Sequence, residues 1–216
     1  MGEIAVGLGA GGHAKCVLEV LLASGDVEIA GLLDPDPELR GTRVFGVPIL
    51  GDDELLATLV RRGVRRFFLG LGGVRGGARR QALFELGLLV GLEPLSAVHS
   101  TAVVSRAADL GRGVSVLALA AVNADARIGD GAIINTGAIV EHDCVLGNHV
   151  HIGTGARLTG AVAVHDAAHI GAGAVVRQGL VIGAGAIVGC GAAVVHDVPA
   201  GSVVAGVPAR ALGSCP

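Results

Sequence analysis

Eight histidines are the residues of this 216-residue chain best suited to moving a proton at neutral pH. They are His13, His99, His142, His149, His151, His165, His169 and His196. His142 stands apart because it lies between two carboxylates, in Glu141-His142-Asp143-Cys144. A carboxylate on one ring nitrogen fixes the tautomer, leaves the other nitrogen free to take a proton, and stabilises the imidazolium that results. Either Glu141 or Asp143 has the chemistry to serve, and the arrangement suits a general base acting on a nucleophile. A second kind of chemistry is suggested near the N-terminus, where Gly7, Gly9 and Gly12 satisfy G-x-G-x-x-G and Asp34 follows 22 residues after the last of them. Such a turn presents helix N-terminal N–H groups to phosphate and a carboxylate to a ribose hydroxyl. Cys16, Cys144, Cys190 and Cys215 show no close spacing, which favours reduced thiols over zinc ligands or disulfides.

The elements that must position His142 are visible as a repeat. Every sixth residue from Val98 to Val194 is Val, Ile or Leu, seventeen positions without a break in register. The residue four places later is usually small, as at Ala120, Ala126, Ala132 and Ala138, and Gly often follows the aliphatic position, as at Gly129, Gly147 and Gly153. A period of six fits neither a helix nor simple strand alternation, but it fits a triangular coil of short parallel strands. On this reading the aliphatic side chains fill the corners and Gly supplies backbone freedom there. Three hexapeptides make one coil, so residues 18 apart stack at the ~4.8 Å spacing of neighbouring strands. Gly160 therefore occupies the place of His142 one coil along, and base and backbone N–H can flank one reacting carbonyl. The same arithmetic stacks His151 on His169. Two stacked histidines suit a metal, but no third histidine completes the column, so no metal is expected.

Before residue 95 the pattern changes. Residues 3–7 read as a strand, residues 14–23 as a helix and Val27–Leu33 as a strand ending at Asp34-Pro35-Asp36. A Pro-containing loop is expected over 35–48, a helix over 53–62, a strand over 66–71, a helix over 78–89 and a short strand over 92–95. Strands alternating with helices specify a parallel α/β sheet. About 95 residues make only half of a dinucleotide fold, so one nucleotide suits it better than two. The expected organisation is an α/β Rossmann-like half domain over 1–95 and a β-helix over 96–216.

Composition narrows the partners. Gly numbers 37, aromatic residues are 2% and the formal net charge is −3. There is no basic field for a nucleic-acid backbone and no platform for stacking bases. No signal peptide is expected ahead of the first strand, and no apolar run approaches the ~18 residues of a membrane span. A cytoplasmic protein with no membrane insertion is expected.

Two segments resemble a known family. Gly9-Ala10-Gly11-Gly12-His13-Ala14-Lys15, followed by the repeat carrying Ile134-Asn135-Thr136-Gly137 and Val140-Glu141-His142-Asp143-Cys144, resembles the nucleotide-sugar N-acetyltransferases and their sialic acid O-acetyltransferase relatives. The resemblance runs from Ile4 to the closing Gly206-Val207-Pro208-Ala209-Arg210. It implies a left-handed parallel β-helix, a homotrimer with sites in the grooves between prisms, and acetyl transfer from acetyl-CoA to the 4-amino group of a UDP- or GDP-linked sugar. It further implies that His142 is the base, Asp143 its partner and Gly160 the oxyanion donor. Gly9, Gly11, Gly12, His13, Asp34, Asp36, Gly72 and Asn135 would contact the nucleotide sugar, and Arg75, which is not part of the family's pattern, is this chain's own candidate for a phosphate contact. His151, Gly160, Ala172, Gly173 and Cys190 would contact acetyl-CoA. The chain departs from the family after Gly72, where Asp or Asn is usual and Gly73-Val74 stands here. The rival readings are sialic acid O-acetylation, an NAD-binding regulator and a metal-dependent hydratase.

Overall fold

A computed structural model describes residues 3–73 and 77–214, and the chain divides into two compact units, residues 1–97 and 98–216. In the first unit, β1 (Glu3–Leu8) leads through Gly9–Gly11 into α1 (Gly12–Ser24), then β2 (Val27–Leu33). Next come β3 (Arg43–Val44), β4 (Val47–Gly51), α2 (Leu56–Arg61), β5 (Arg66–Leu69), α3 (Gly77–Leu89) and β6 (Glu93–Pro94). The sheet order is β3-β4-β2-β1-β5-β6, parallel except for the β3–β4 hairpin. Helix α1 buries Ala14, Val17, Leu18 and Leu21, the 3- and 4-residue spacing of one helical face. It stops at Gly25, whose φ of 69° is a left-handed C-cap. The core beneath the helices joins Val6, Leu8 and Leu33 to Phe67, Leu69, Leu83 and Phe84.

Two local expectations change. The stretch read as a loop over 35–48 holds β3 and the start of β4, closed by Phe45 and Gly46 at φ 47° and 82°. Two successive positive φ values make the tight turn whose twist matches a hairpin. Pro48 hid the strand, yet it precedes Ile49, where pairing with β2 begins, so its missing N–H costs that ladder nothing. The helix expected over 53–62 is a 3-10 turn at Asp53–Leu55 followed by α2.

The second unit is a left-handed parallel β-helix of two-residue strands in three sheets of eight, six and five strands, the first of which ends in the longer Ser202–Ala205 and the antiparallel Arg210–Ser214. Strands 18 residues apart pair directly, as in Ile133↔His151 and His151↔His169. Each large aliphatic is the second residue of a strand rather than the bend itself, and Val122, Ile134, Val140, Ile152, Leu158 and Ile170 are fully buried. The small position alternates with them inside the prism, with Ala126, Ala132, Ala138 and Cys144 also at 0% exposure.

The glycines divide into two kinds, which corrects the reason given for them above. Gly153, directly after an aliphatic, is needed for closeness: a Cβ there would lie 2.6 Å from the Ile170 carbonyl of the next coil. Backbone freedom matters two residues later, at the second position of each bend, where Gly155 has φ 65°. Asp143 holds that second position in its own bend at φ 61°, a conformation that Asp tolerates better than most residues. Among the described residues, no helix is long and apolar enough to cross a membrane.

Candidate active site

His142 and Asp143 form one bend of the prism, between the strands Ile139–Val140 and Val145–Leu146. The left-handed backbone at Asp143 turns its carboxylate back onto the preceding ring, and Asp143 Oδ2 lies 2.7 Å from His142 Nδ1. Glu141 takes a different part, accepting a hydrogen bond from the His142 backbone N–H at 3.4 Å. The contact with Asp143 puts the proton on Nδ1 and leaves Nε2 as the free base. The Asp143 hydrogen bond raises the His142 pKa above its ordinary 6.5, with the charges of Asp143 and Glu141 adding to it. Both side chains are open to solvent, at 55% and 60% exposure.

Gly160 lies one coil along, against the imidazole. A Cβ at this position would be 2.6 Å from both His142 Cε1 and Nε2, so only glycine leaves the ring in place. The coils are tied together here by the Ala161 N–H, which donates to the His142 carbonyl at 2.9 Å. Among the described residues nothing accepts a hydrogen bond from the Gly160 N–H. A free backbone donor beside a free imidazole nitrogen is the pairing that acyl transfer needs.

The structure also brings Asn135 and His151 together. Asn135 Nδ2 lies 3.2 Å from His151 Nε2, and Asn135 Oδ1 accepts the Thr136 N–H, which fixes the amide orientation. His151 meets His169 edge-on, with ring centroids 4.7 Å apart, and burial lowers the His169 pKa. Among the described residues no three His, Cys, Asp or Glu groups gather in a way that suits a metal. Ala172, Gly173 and Cys190 line another bend and are exposed. Its coils are joined by Gly173 N–H to Thr154 O and Gly191 N–H to Ala172 O, both at 2.8 Å.

In the first unit, β1 is flanked by β2 and β5, and the chain leaves it for opposite sides of the sheet. Parallel sheets bind ligands at the carboxyl ends of strands around such a switch point. The Gly9–Gly11 turn lies there, and α1 starts from Gly11 with no side-chain cap and no acidic residue in its first turn. Its N–H groups and positive dipole end are open to an anion. Asp34 braces the turn: its Oδ2 accepts the Ala10 N–H at 2.8 Å and its Oδ1 the Asp36 N–H at 3.1 Å. Asp36 caps the 3-10 turn after it through the Glu38 N–H. Gly72 packs on His13, since a Cβ there would lie 3.1 Å from the His13 Cβ and Cγ.

Burial, aided by the positive charge of Arg80, pushes the His13 pKa down to about 3, so His13 is a neutral hydrogen-bonding group. Among the described residues its buried Nε2 has no hydrogen-bond partner. Arg75 lies outside the described residues. Sequence reasoning missed Arg80, 3% exposed, which donates to the Leu71 carbonyl at 2.8 Å and holds the loop after β5. It also missed Asp53, paired with Arg79 at 2.7 Å.

Comparison with known proteins adds a separate line of observation. Residues 4–85 match the model of the PglD N-terminal domain, and residues 125–160 match that of the bacterial transferase hexapeptide repeats. The GDP-perosamine N-acetyltransferase PerB of Caulobacter crescentus, solved with CoA and GDP-perosamine, is 44% identical, with a TM-score of 0.92 over 99% of this chain and 98% of that one. The acetyltransferase domain of PglB from Neisseria gonorrhoeae, solved with acetyl coenzyme A, is 38% identical, with a TM-score of 0.89 over 98% of this chain and 100% of that one. WeeI from Acinetobacter baumannii is 28% identical, with a TM-score of 0.85 over 98% and 100%. No curated protein sequence matches the chain.

Proposed function

Because the chain belongs to the hexapeptide-repeat nucleotide-sugar N-acetyltransferases, we propose that it moves the acetyl group of acetyl-CoA to the 4-amino group of a sugar carried on UDP or GDP. The observation that carries this reading to particular residues is the 2.7 Å His142–Asp143 pair lying over Gly160. His142 Nε2 takes a proton from the amine as its nitrogen attacks the thioester carbonyl. The Gly160 N–H stabilises the tetrahedral oxyanion. When the carbon–sulfur bond breaks, the imidazolium returns the proton to the CoA thiolate, leaving an amide and free CoA. Asp143 holds the ring and stabilises its charged form. The N-terminus of α1 takes the diphosphate, and His13 supplies a neutral hydrogen bond through Nε2, which has no partner among the described residues. Asn135, through its contact with His151, positions that ring at the acetyl group.

The enzyme works as a homotrimer in the cytoplasm, on this reading. The exposed His142–Asp143 corner supports it, together with the outward Val145 and Val181 at 49% and 39% exposure on the adjoining wall. A second copy over that wall would shield both the apolar side chains and the catalytic pair. The test of the activity is a screen of UDP- and GDP-linked 4-amino sugars with acetyl-CoA, following free thiol release. Thiol release with at least one nucleotide-linked amino sugar is the expected result. Release with free sialic acid and with none of these would overturn it.

The pH dependence follows from the same pair. A base must be neutral to work, and the Asp143 contact keeps His142 protonated to a higher pH than an ordinary histidine. Turnover is therefore expected to fall as pH drops through a value above 6.5. Asp143→Asn should move that acid limb to lower pH and reduce kcat about 10- to 100-fold. A pH–rate profile of the two proteins checks both effects. An unmoved limb would take His142 out of the rate-determining chemistry.

A further inference from the structure

The first unit has a cleft of about 210 Å³ at the carboxyl ends of β1, β2 and β5. Leu33, Pro35 and Leu71 give it apolar walls, and Asp34, Asp53 and Arg79 give it polar edges. It is smaller than the 300–1,000 Å³ typical of whole-ligand pockets and suits one planar ring system. We propose that this cleft holds the base of the nucleotide and that Asp53 and Arg79 read it as guanine, so that the substrate is a GDP-linked sugar. The inference rests on the nucleotide-sugar reading above and narrows it.

The polar edge decides between bases. Asp53 Oδ2 is held by Arg79 Nη2 at 2.7 Å, while the Asp53 Oδ1 accepts no hydrogen bond among the described residues. Asp34, in contrast, already has both oxygens engaged, Oδ2 by the Ala10 N–H of the glycine turn and Oδ1 by the Asp36 N–H. An ionised carboxylate is a pure acceptor with roughly four lone-pair sites, so Asp53 can keep Arg79 and still take two more N–H groups. Burial makes this demand stronger: it raises the Asp53 pKa, Arg79 opposes that shift, and Asp52 and Asp34 add to it. Guanine is the one common base whose Watson–Crick edge presents two adjacent donors, N1–H and N2–H, with the O6 acceptor beside them. That order matches a carboxylate next to a guanidinium. Uracil has a single donor between two carbonyl oxygens and would set an acceptor against the carboxylate. Adenine and cytosine place a ring acceptor at the same point. Leaving buried acceptors facing each other is costly, so the site discriminates strongly.

Calorimetric titration of the whole protein with GDP, inosine diphosphate, UDP and ADP tests the assignment. GDP is expected to bind at least about tenfold more tightly than UDP or ADP, and inosine diphosphate, which lacks the 2-amino group, more weakly than GDP. Asp53→Asn should weaken GDP about tenfold and favour xanthosine diphosphate, whose 2-oxo group accepts from the new amide. Should that variant fail to fold, the ranking on the unaltered protein still decides. UDP binding as tightly as GDP, or inosine diphosphate matching GDP, overturns the base assignment and leaves acetyl transfer standing. Absence of binding by any nucleoside diphosphate overturns both.

Discussion

His142→Ala is expected to lower kcat by about 10²- to 10⁴-fold, the usual contribution of a positioned general base. The loss should appear in thiol release under saturating acetyl-CoA and nucleotide sugar. Affinities for CoA and for the nucleotide, measured by titration, should change by less than about twofold. The reason for the split is geometric. The imidazole is 55% exposed, and its one hydrogen bond among the described residues is to Asp143. Its removal leaves no cavity in the prism, whose interior at this level is Val140, Cys144 and Leu146. The melting temperature should therefore stay within a few degrees. Retention of turnover within tenfold would move the base elsewhere, with His151 the next histidine to test. A parallel fall in thermal stability would make the loss uninformative about chemistry, which is why the melt belongs in the experiment.

Much of this site could be read from the amino-acid order because the β-helix is periodic. Once six residues make a wall and 18 make a coil, the neighbours of His142 and His151 follow by addition, and the structure pairs His151 with His169 in register. The choice between Glu141 and Asp143 did not follow. It depends on one backbone angle, the φ of 61° at Asp143, which aims that carboxylate at the ring. The two kinds of glycine were also blurred, because spacing shows where a glycine recurs but not whether crowding or φ demands it. In the α/β unit the 22-residue interval singled out Asp34 as a carboxylate near the glycine turn. Its hydrogen bond to the Ala10 N–H, however, depends on how β1 and β2 lie side by side. Arg80 and Asp53 were missed for the same reason. Their importance comes from what α3 and the turn after β4 pack against, and a single stretch of sequence carries no trace of that.

Gly160→Ala separates activity from folding in the second large effect. The added methyl would come within 2.6 Å of His142 Cε1 and Nε2, and the backbone at this position has no positive φ to strain an L residue. What must yield is the end of an exposed side chain, so the prism should survive and the imidazole should swing out. A misplacement of about 1 Å in a catalytic group costs on the order of 100-fold in rate. We expect kcat to fall by about 10- to 100-fold while the thermal midpoint shifts by less than about 4 °C. The acid limb of the pH profile should move down as well, because a displaced ring loses the Asp143 hydrogen bond that raises its pKa. The Gly160 N–H is still present in the variant, so the loss reports on the ring rather than on the oxyanion donor. Gly153→Ala supplies the contrast: its Cβ would meet the Ile170 carbonyl at 2.6 Å and the Ala172 nitrogen at 2.8 Å, both backbone atoms that cannot swing aside. That variant should lose stability first and activity with it. Full turnover in Gly160→Ala would mean that the imidazole works from another position. Loss of activity in step with melting would mean that Gly160, like Gly153, serves only to stack the coils.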